Sequence, residues 1–181
     1  MTYIFSNAHK YDTLKEFGNH IDNLKLNLSD KIVLLNTCVP LQANINYFSN
    51  KNNISVLCRG FSVGCVISYF GLEEVLKRQD IIKNVYCCEH SDTNLNIFLT
   101  RPREWSTKET ININNDFFKK YPENKVPTTG YIAYYLFKEI YKDDITLVNF
   151  YGSGDNSTCK YQGHNWDFEE EFFKDKIRIF I

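Results

Sequence analysis

Short apolar runs alternate along this chain with stretches whose apolar residues follow the spacing of a helix face. The short runs are rich in β-branched and aromatic residues, as strands are. The pattern therefore predicts strands at 2–5, 31–36, 54–58, 84–88, 94–99, 145–151 and 176–181. It predicts helices that carry Leu14 to Leu24, Val66 to Arg78, Tyr131 to Tyr141 and Asp167 to Phe173.

Strands that alternate with helices build a mainly parallel sheet covered on both faces. We therefore predict an α/β fold, a single Rossmann-like α/β/α sandwich. No repeat, low-complexity linker or break in composition divides the 181 residues, a length within the range of one domain. One domain over residues 1–181 is predicted.

Charge and cysteine content narrow the class of protein. The formal net charge of −1 indicates neither a nucleic-acid partner nor an anionic membrane surface. No apolar run is long enough to span a bilayer, and the opening residues do not read as a signal peptide. The six cysteines form no CxxC pair, which favours reduced thiols in a cytoplasmic protein.

The stretch from Lys125 to Phe173 holds the strongest candidate chemistry. Thr128, Thr129 and Gly130 directly precede an apolar helix, and hydroxyls at such a start, with the free amides and the helix dipole, form an anion site. A buried strand and a polar loop follow, and ligands of open α/β sheets bind past strand ends. His164 and Glu169 lie beyond that loop.

Asparagines follow the first two predicted strands, as Asn7 and Asn36. A side-chain amide offers two donors and an acceptor, which suits ribose hydroxyls or a pyrimidine edge. The alternative is that both are ordinary turn or cap residues.

The order Pro-Thr-Thr-Gly, helix, strand ending Phe-Tyr-Gly, polar loop and His-x-x-x-x-Glu resembles the C-terminal half of the animal sialyltransferases. The bacterial sialyltransferases are similar in their Thr-Ser-Gly segment and later histidine, and Asn7 and Asn36 match asparagines near their cytidine nucleotide. The resemblance covers about a quarter of the chain by motif. It implies a sialyltransferase variant of the GT-A-like fold, with one glycosyltransferase-like domain.

The resemblance also implies a function. The implied protein is a metal-independent glycosyltransferase of polysaccharide or lipopolysaccharide biosynthesis. It would move an acidic sugar from a CMP-activated donor, its co-substrate, to a hydroxyl of a glycan or glycolipid. His164 would be the general base, with Glu169 orienting the imidazole or capping a helix. Thr128, Thr129 and Gly130 would bind the nucleotide. Tyr151 and Tyr161 are candidate phosphate donors. No further cofactor or metal is expected, and association with the inner membrane or a partner protein is left open.

Two other classes of function compete with this interpretation. Gly60-Phe61-Ser62-Val63-Gly64 follows a predicted strand and precedes a helix, as the nucleophile elbow of α/β-hydrolases does. Ser62 would then be an esterase nucleophile, with His164 and Asp144 or Asp155 completing a triad. A non-catalytic binding protein with a sugar-nucleotide fold is the third class.

Two further clusters favour structural interpretations. Cys87, Cys88 and His90 are close in sequence, but adjacent strand residues point to opposite faces, so a single metal centre is not predicted. Arg101 and Arg103 flank a proline in a loop that recognises an anion or carries solvated cations.

Overall fold

The computed structural model describes residues 1–6, 21, 23–35, 53–59, 80–90, 95–101, 106–113, 115–122, 125–150 and 163–180. Within these residues the chain forms one eight-stranded sheet. The strands, in chain order, are β1 Thr2–Phe5, β2 Lys31–Leu35, β3 Ile54–Arg59, β4 Ile82–His90, β5 Leu95–Arg101, β6 Ser106–Ile113, β7 Ile145–Val148 and β8 Arg178–Ile179. Among the described residues, the α-helices with defined bounds are α1 Asn115–Lys119, α2 Thr129–Tyr135 and α3 Trp166–Lys174.

The strand order across the sheet is β6-β5-β4-β3-β2-β1-β7-β8. Parallel pairing joins β1 through β4, and β7 and β8 continue it on the other side of β1. The pairs β4–β5 and β5–β6 are antiparallel. The predicted α/β class and mainly parallel sheet are confirmed.

Two hydrophobic clusters form, and the alternation of side chains along β2 divides its residues between them. Val33 and Leu35 belong to the larger cluster, whereas Ile32 and Leu34 belong to the smaller. Successive strand residues point to opposite faces, so each cluster lies on its own side of the sheet. Burial on both sides explains why β2 is almost continuously apolar.

The predicted helix from Tyr131 to Tyr141 begins two residues earlier and changes geometry midway. It starts at Thr129 as α2 and continues from Leu136 to Ile140 as a π-helix. The amide of Tyr141 donates to the carbonyl of Leu136 at 3.0 Å, the wider spacing that defines this turn. Its apolar side chains, including Ile132, Ala133 and Leu136, complete the larger cluster.

The sequence interpretation missed one strand, β6. No strand was predicted between residues 99 and 145, whereas β6 runs from Ser106 to Ile113 and is followed by α1. Lys108, Glu109 and Thr110 are exposed, so apolar periodicity is weak in this edge strand. Its pairing with β5 supplies the backbone hydrogen bonds that local sequence does not indicate.

In the part of the chain that is described, no helix is both long and apolar enough to cross a bilayer.

Candidate functional site

The carboxyl ends of β1 and β7 meet where the strand order changes direction. Strands β2 to β4 lie on one side of β1, and β7 and β8 lie on the other. The amide of Ser6, just past β1, donates to the carbonyl of Val148 at 3.0 Å, and its hydroxyl donates to the carbonyl of Asn149. Such a switch point opens a crevice in which α/β proteins bind ligands. We call this place, defined by Ser6 and Asn149, the switch-point edge.

Asn149 holds an unusual backbone conformation at this edge. Its φ is 58°, in the left-handed region, and its side chain is only 3% exposed. Its amide donates to the carbonyl of Ile179 at 2.9 Å, which links the end of β7 to β8. Asparagine tolerates this conformation better than most non-glycine residues, yet it is still less favourable than glycine there. Retained backbone strain of this kind concentrates at functional sites.

Helix α2 begins at the same edge of the sheet. Thr128 is its N-cap, and its hydroxyl accepts a hydrogen bond from the amide of Tyr131 at 3.1 Å. Gly130 lies against Phe150, just past β7, so closely that an added Cβ would be 2.8 Å from the ring. The predicted Thr-Thr-Gly segment is therefore a helix start packed against the end of a central strand. Its glycine permits that packing.

A buried carboxylate caps the same helix start. Glu169 of α3 is 4% exposed, and its Oε1 accepts from the backbone amide of Thr128 at 2.8 Å and from the hydroxyl of Tyr121 at 2.7 Å. Its Oε2 accepts from the hydroxyl of Thr128. We call this set, Glu169 with Thr128 and Tyr121, the Glu169 clamp. A negative charge is favourable at a helix N-terminus, so the protein's own carboxylate takes up part of the anion site that the sequence predicted for phosphate.

Burial and the clamp carboxylate shift the tyrosines around it. Burial is the larger cause and Glu169 the second cause of the raised pKa of Tyr131, to about 12. The same two causes, in the same order, raise the pKa of Tyr121. Both phenols are therefore hydroxyl forms at neutral pH, and Tyr121 acts as a donor to Glu169 and as an acceptor from the amide of Asn165.

His164 lies beside the clamp and is oriented by the backbone. Its Nδ1 donates to the carbonyl of Val126, while the amide of Val126 donates to the carbonyl of Gly163 at 2.8 Å. Because a carbonyl only accepts, the proton of the neutral ring is on Nδ1 and Nε2 carries the lone pair. The imidazole edge packs on Trp166, with ring centroids 5.4 Å apart. The role of His164 as a general base stays a prediction.

The two residues of the His-x-x-x-x-Glu motif thus have different contacts. His164 is oriented by the hydrogen bond that its Nδ1 donates to the carbonyl of Val126, and Glu169 caps α2. Of the two roles foreseen for Glu169, the structure displays the helix cap.

The remaining predicted site residues lie outside the described residues. These are Asn7, Asn36, Tyr151 and Tyr161, together with Ser62 of the hydrolase alternative. In sequence, Asn7 and Asn36 follow β1 and β2, which are parallel neighbours. Their nucleotide-binding role remains a prediction. Sequence reasoning did not single out Ser6 and Asn149, although Ser6 directly follows the strand predicted at 2–5 and Asn149 lies within the strand predicted at 145–151.

In the described part of the chain, no three His, Cys, Asp or Glu residues are grouped closely enough to hold a metal ion. Cys87 and Cys88 do point to opposite faces, since Cys88 belongs to the larger hydrophobic cluster and Cys87 packs on the smaller.

No protein-family model and no curated protein matches the chain. Among solved structures, the chain is similar to the Aquifex aeolicus member of the Ppx/GppA protein family, with 15% identity and a TM-score of 0.21. The match covers 75% of this chain and 47% of that protein, so the chain spans about half of its length. A TM-score this low transfers neither fold nor activity.

These findings correct the functional prediction. No sialyltransferase is found among protein families, curated proteins or solved structures, so the prediction of a sialyltransferase-like, CMP-sugar-dependent glycosyltransferase of polysaccharide biosynthesis is wrong. The structure supplies a physical reason for the misleading resemblance. The Pro-Thr-Thr-Gly and His-x-x-x-x-Glu segments bind each other through Thr128 and Glu169, which gives both segments a structural role. The esterase alternative gains no support from the comparisons either.

Proposed function

We propose that this protein binds a small polar ligand at the switch-point edge, in a doubly wound, Rossmann-like arrangement of the sheet. The observation that carries the proposal is Asn149, a buried non-glycine residue with positive φ at the carboxyl end of β7. It lies opposite Ser6, at the point of the sheet where ligands of this fold class bind.

The chemistry of the edge favours a ligand rich in hydroxyl or ring-nitrogen groups. Ser6 and Asn149 are neutral hydrogen-bonding residues at the edge, and His164 with the half-buried Trp166 lies beside the Glu169 clamp at the start of α2. Glu169 places a negative charge at the start of α2, which disfavours a ligand phosphate in direct contact with that turn. A nucleoside moiety fits these groups, and a sugar nucleotide stays the proposed partner class.

The proposal includes a cytoplasmic location. Cys58, Cys87 and Cys88 are in the thiol form within or beside the hydrophobic clusters, as expected where the surroundings are reducing.

Thermal unfolding with a panel of nucleosides, nucleotides and sugar nucleotides tests the proposal. A ligand at a hundred times its dissociation constant adds about 2.7 kcal/mol to the free energy of unfolding. For a chain of this length that corresponds to a rise in Tm of about 5–10 °C. The absence of a shift with every member of the panel would reject the proposed ligand class.

A pair of glycine variants locates the site. Asn149→Gly keeps the positive φ but removes the side-chain amide, so the variant, shown to be folded by far-UV circular dichroism, should lose most of the ligand-induced rise in Tm. Lys142→Gly is the matched control, because Lys142 also has positive φ, 60°, but is exposed at the end of the π-helix. It should keep the full rise. An undiminished rise in Asn149→Gly would remove the switch-point edge as the site.

A further inference from the structure

Cys58 and Cys87 are paired across the sheet. They are register partners on the parallel neighbours β3 and β4, and both thiols are unoxidised. Cys58 belongs to the smaller hydrophobic cluster and Cys87 packs against it, so the two side chains share one face. Neighbouring strands lie about 4.8 Å apart, within the Cα separation that a disulfide spans.

We propose that Cys58 and Cys87 form a redox-active pair, oxidised by peroxide to a disulfide that joins β3 to β4. This site is independent of the ligand site proposed above. Cys87 is the attacking group because it is more accessible to peroxide: it is half-buried, whereas Cys58 is only 8% exposed. Cys58 is the resolving thiol.

The acid–base properties of the two thiols agree with these roles. The hydrogen bond from Cys58 lowers the pKa of Cys87, against the opposing effects of burial and of Glu89. The same hydrogen bond, followed by burial, raises the pKa of Cys58. A thiolate is the reactive form of cysteine, so the first attack falls to Cys87.

The reaction has two steps. The Cys87 thiolate attacks a peroxide oxygen, the O–O bond breaks, and the leaving oxygen departs as water after protonation, which leaves a sulfenic acid on Cys87. The sulfur of Cys58 then attacks the sulfur of Cys87, the S–S bond forms, the S–O bond breaks, and hydroxide leaves with the Cys58 proton as a second water. Two thiols are oxidised by two electrons, and one hydrogen peroxide is reduced to two waters.

The position in the sheet has a consequence for the stability of the disulfide. Side chains that face each other across parallel strands have Cβ atoms about as far apart as the strands, which exceeds the Cβ separation of about 3.8 Å in a relaxed disulfide. A disulfide there is strained, and strained disulfides are readily reduced. The pair is therefore expected to be reversible rather than a permanent structural bond.

The test is peroxide treatment of the full-length protein, followed by alkylation of the remaining thiols, proteolysis and mass spectrometry. The expected product is a linked peptide pair containing Cys58 and Cys87, two hydrogen masses lighter than the separate peptides and released by a thiol reductant. Cys87→Ala should lower the rate of peroxide-dependent thiol loss about tenfold. Cys58→Ala should leave a trappable sulfenic acid on Cys87.

Cys88→Ala is the matched control, because Cys88 neighbours Cys87 in sequence but lies buried on the opposite face. It should form the Cys58–Cys87 link at the wild-type rate. If the wild type forms no such link, or if Cys87 is linked to another cysteine instead, the proposed pair is rejected. Far-UV circular dichroism of each variant establishes that the protein has folded.

Discussion

The Glu169 clamp makes a direct prediction about stability. Replacing Glu169 with glutamine keeps the shape of the side chain but removes its charge. The amide oxygen of glutamine can still accept from the amide of Thr128 and from Tyr121, without charge assistance, whereas its NH2 group cannot accept from the hydroxyl of Thr128. We expect Glu169→Gln to lower the free energy of unfolding at pH 7.

The magnitude follows from these three contacts. A hydrogen bond to a charged group contributes about 1.5–3 kcal/mol and a neutral one about 0.5–1.5 kcal/mol, so two weakened bonds and one lost bond cost roughly 3.5–6 kcal/mol before compensation. Removing a buried charge recovers part of this loss, because Glu169 is only 4% exposed. A net loss of about 2 kcal/mol is expected, equivalent to a Tm lowered by about 4–8 °C.

Urea unfolding monitored by circular dichroism measures this effect. Glu171→Gln is the control, since Glu171 lies on the same helix, is 76% exposed and has a surface contact with Lys174 at 3.5 Å. It should change the free energy of unfolding by no more than about 0.5 kcal/mol. Glu169→Ala, which removes all three acceptor contacts and leaves a cavity, should cost more than Glu169→Gln. Equal stability of Glu169→Gln and Glu171→Gln would refute the interpretation of Glu169 as a structural cap.

Three further predictions concern packing, alkaline pH and the amino edge of the sheet. Gly130→Ala should lower the free energy of unfolding by about 1–2 kcal/mol despite the better helix propensity of alanine, because the added Cβ meets Phe150. Thermal unfolding should show a smaller loss when the same change is made in a Phe150→Leu variant. The pKa of Tyr131 is about 12 in the folded state against 10 when exposed, so the folded state binds more protons than the unfolded state above pH 10. The contribution of Tyr131 to the free energy of unfolding is therefore complete below pH 10 and declines above it. Urea titrations at pH 8 and 11 should show a smaller decline in the free energy of unfolding for Tyr131→Phe than for the wild type. Asp143→Ala should lower the free energy of unfolding in urea by about 1–2 kcal/mol, because Asp143 accepts hydrogen bonds from Lys31 at 2.8 Å and from Thr2 at 2.8 Å. Asp144 is an exposed neighbour, and a smaller loss in Asp143→Ala than in Asp144→Ala would contradict this expectation.

The central strands were predictable because their composition reflects their burial. β1 matches its predicted bounds, β2 and β3 differ by one residue at one end, and β7 is shorter because Asn149 leaves the extended conformation. Strands buried on both faces must be apolar at nearly every position, and a single sequence displays that requirement directly.

The edges of the sheet were less predictable. β6 carries exposed Lys108 and Glu109, and its strand conformation depends on pairing with β5. β8 is reduced to two residues that pair with the end of β7. These edge strands are stabilised by hydrogen bonds to a neighbouring strand, whereas the central strands are stabilised by burial. The local sequence does not indicate which strand the neighbour is.

The candidate site was also predictable only in part. The sequence indicated Thr128 as a helix cap, because a hydroxyl before an apolar helix satisfies its first amides whatever the rest of the chain does. It did not indicate that Glu169, about forty residues later, would bind the same helix start, so two structural segments resembled a catalytic motif.

The sequence by itself therefore determined the class of fold, the central strands and the start of α2, all of which follow from periodicity, burial and capping within short segments. Only the tertiary structure decided which strand ends meet at the switch-point edge, that Asn149 is strained there, that Glu169 caps α2 and that Cys58 faces Cys87. Each of these is a contact between residues distant in sequence. Such contacts depend on the order and register of the strands, which are set by the packing of the whole chain.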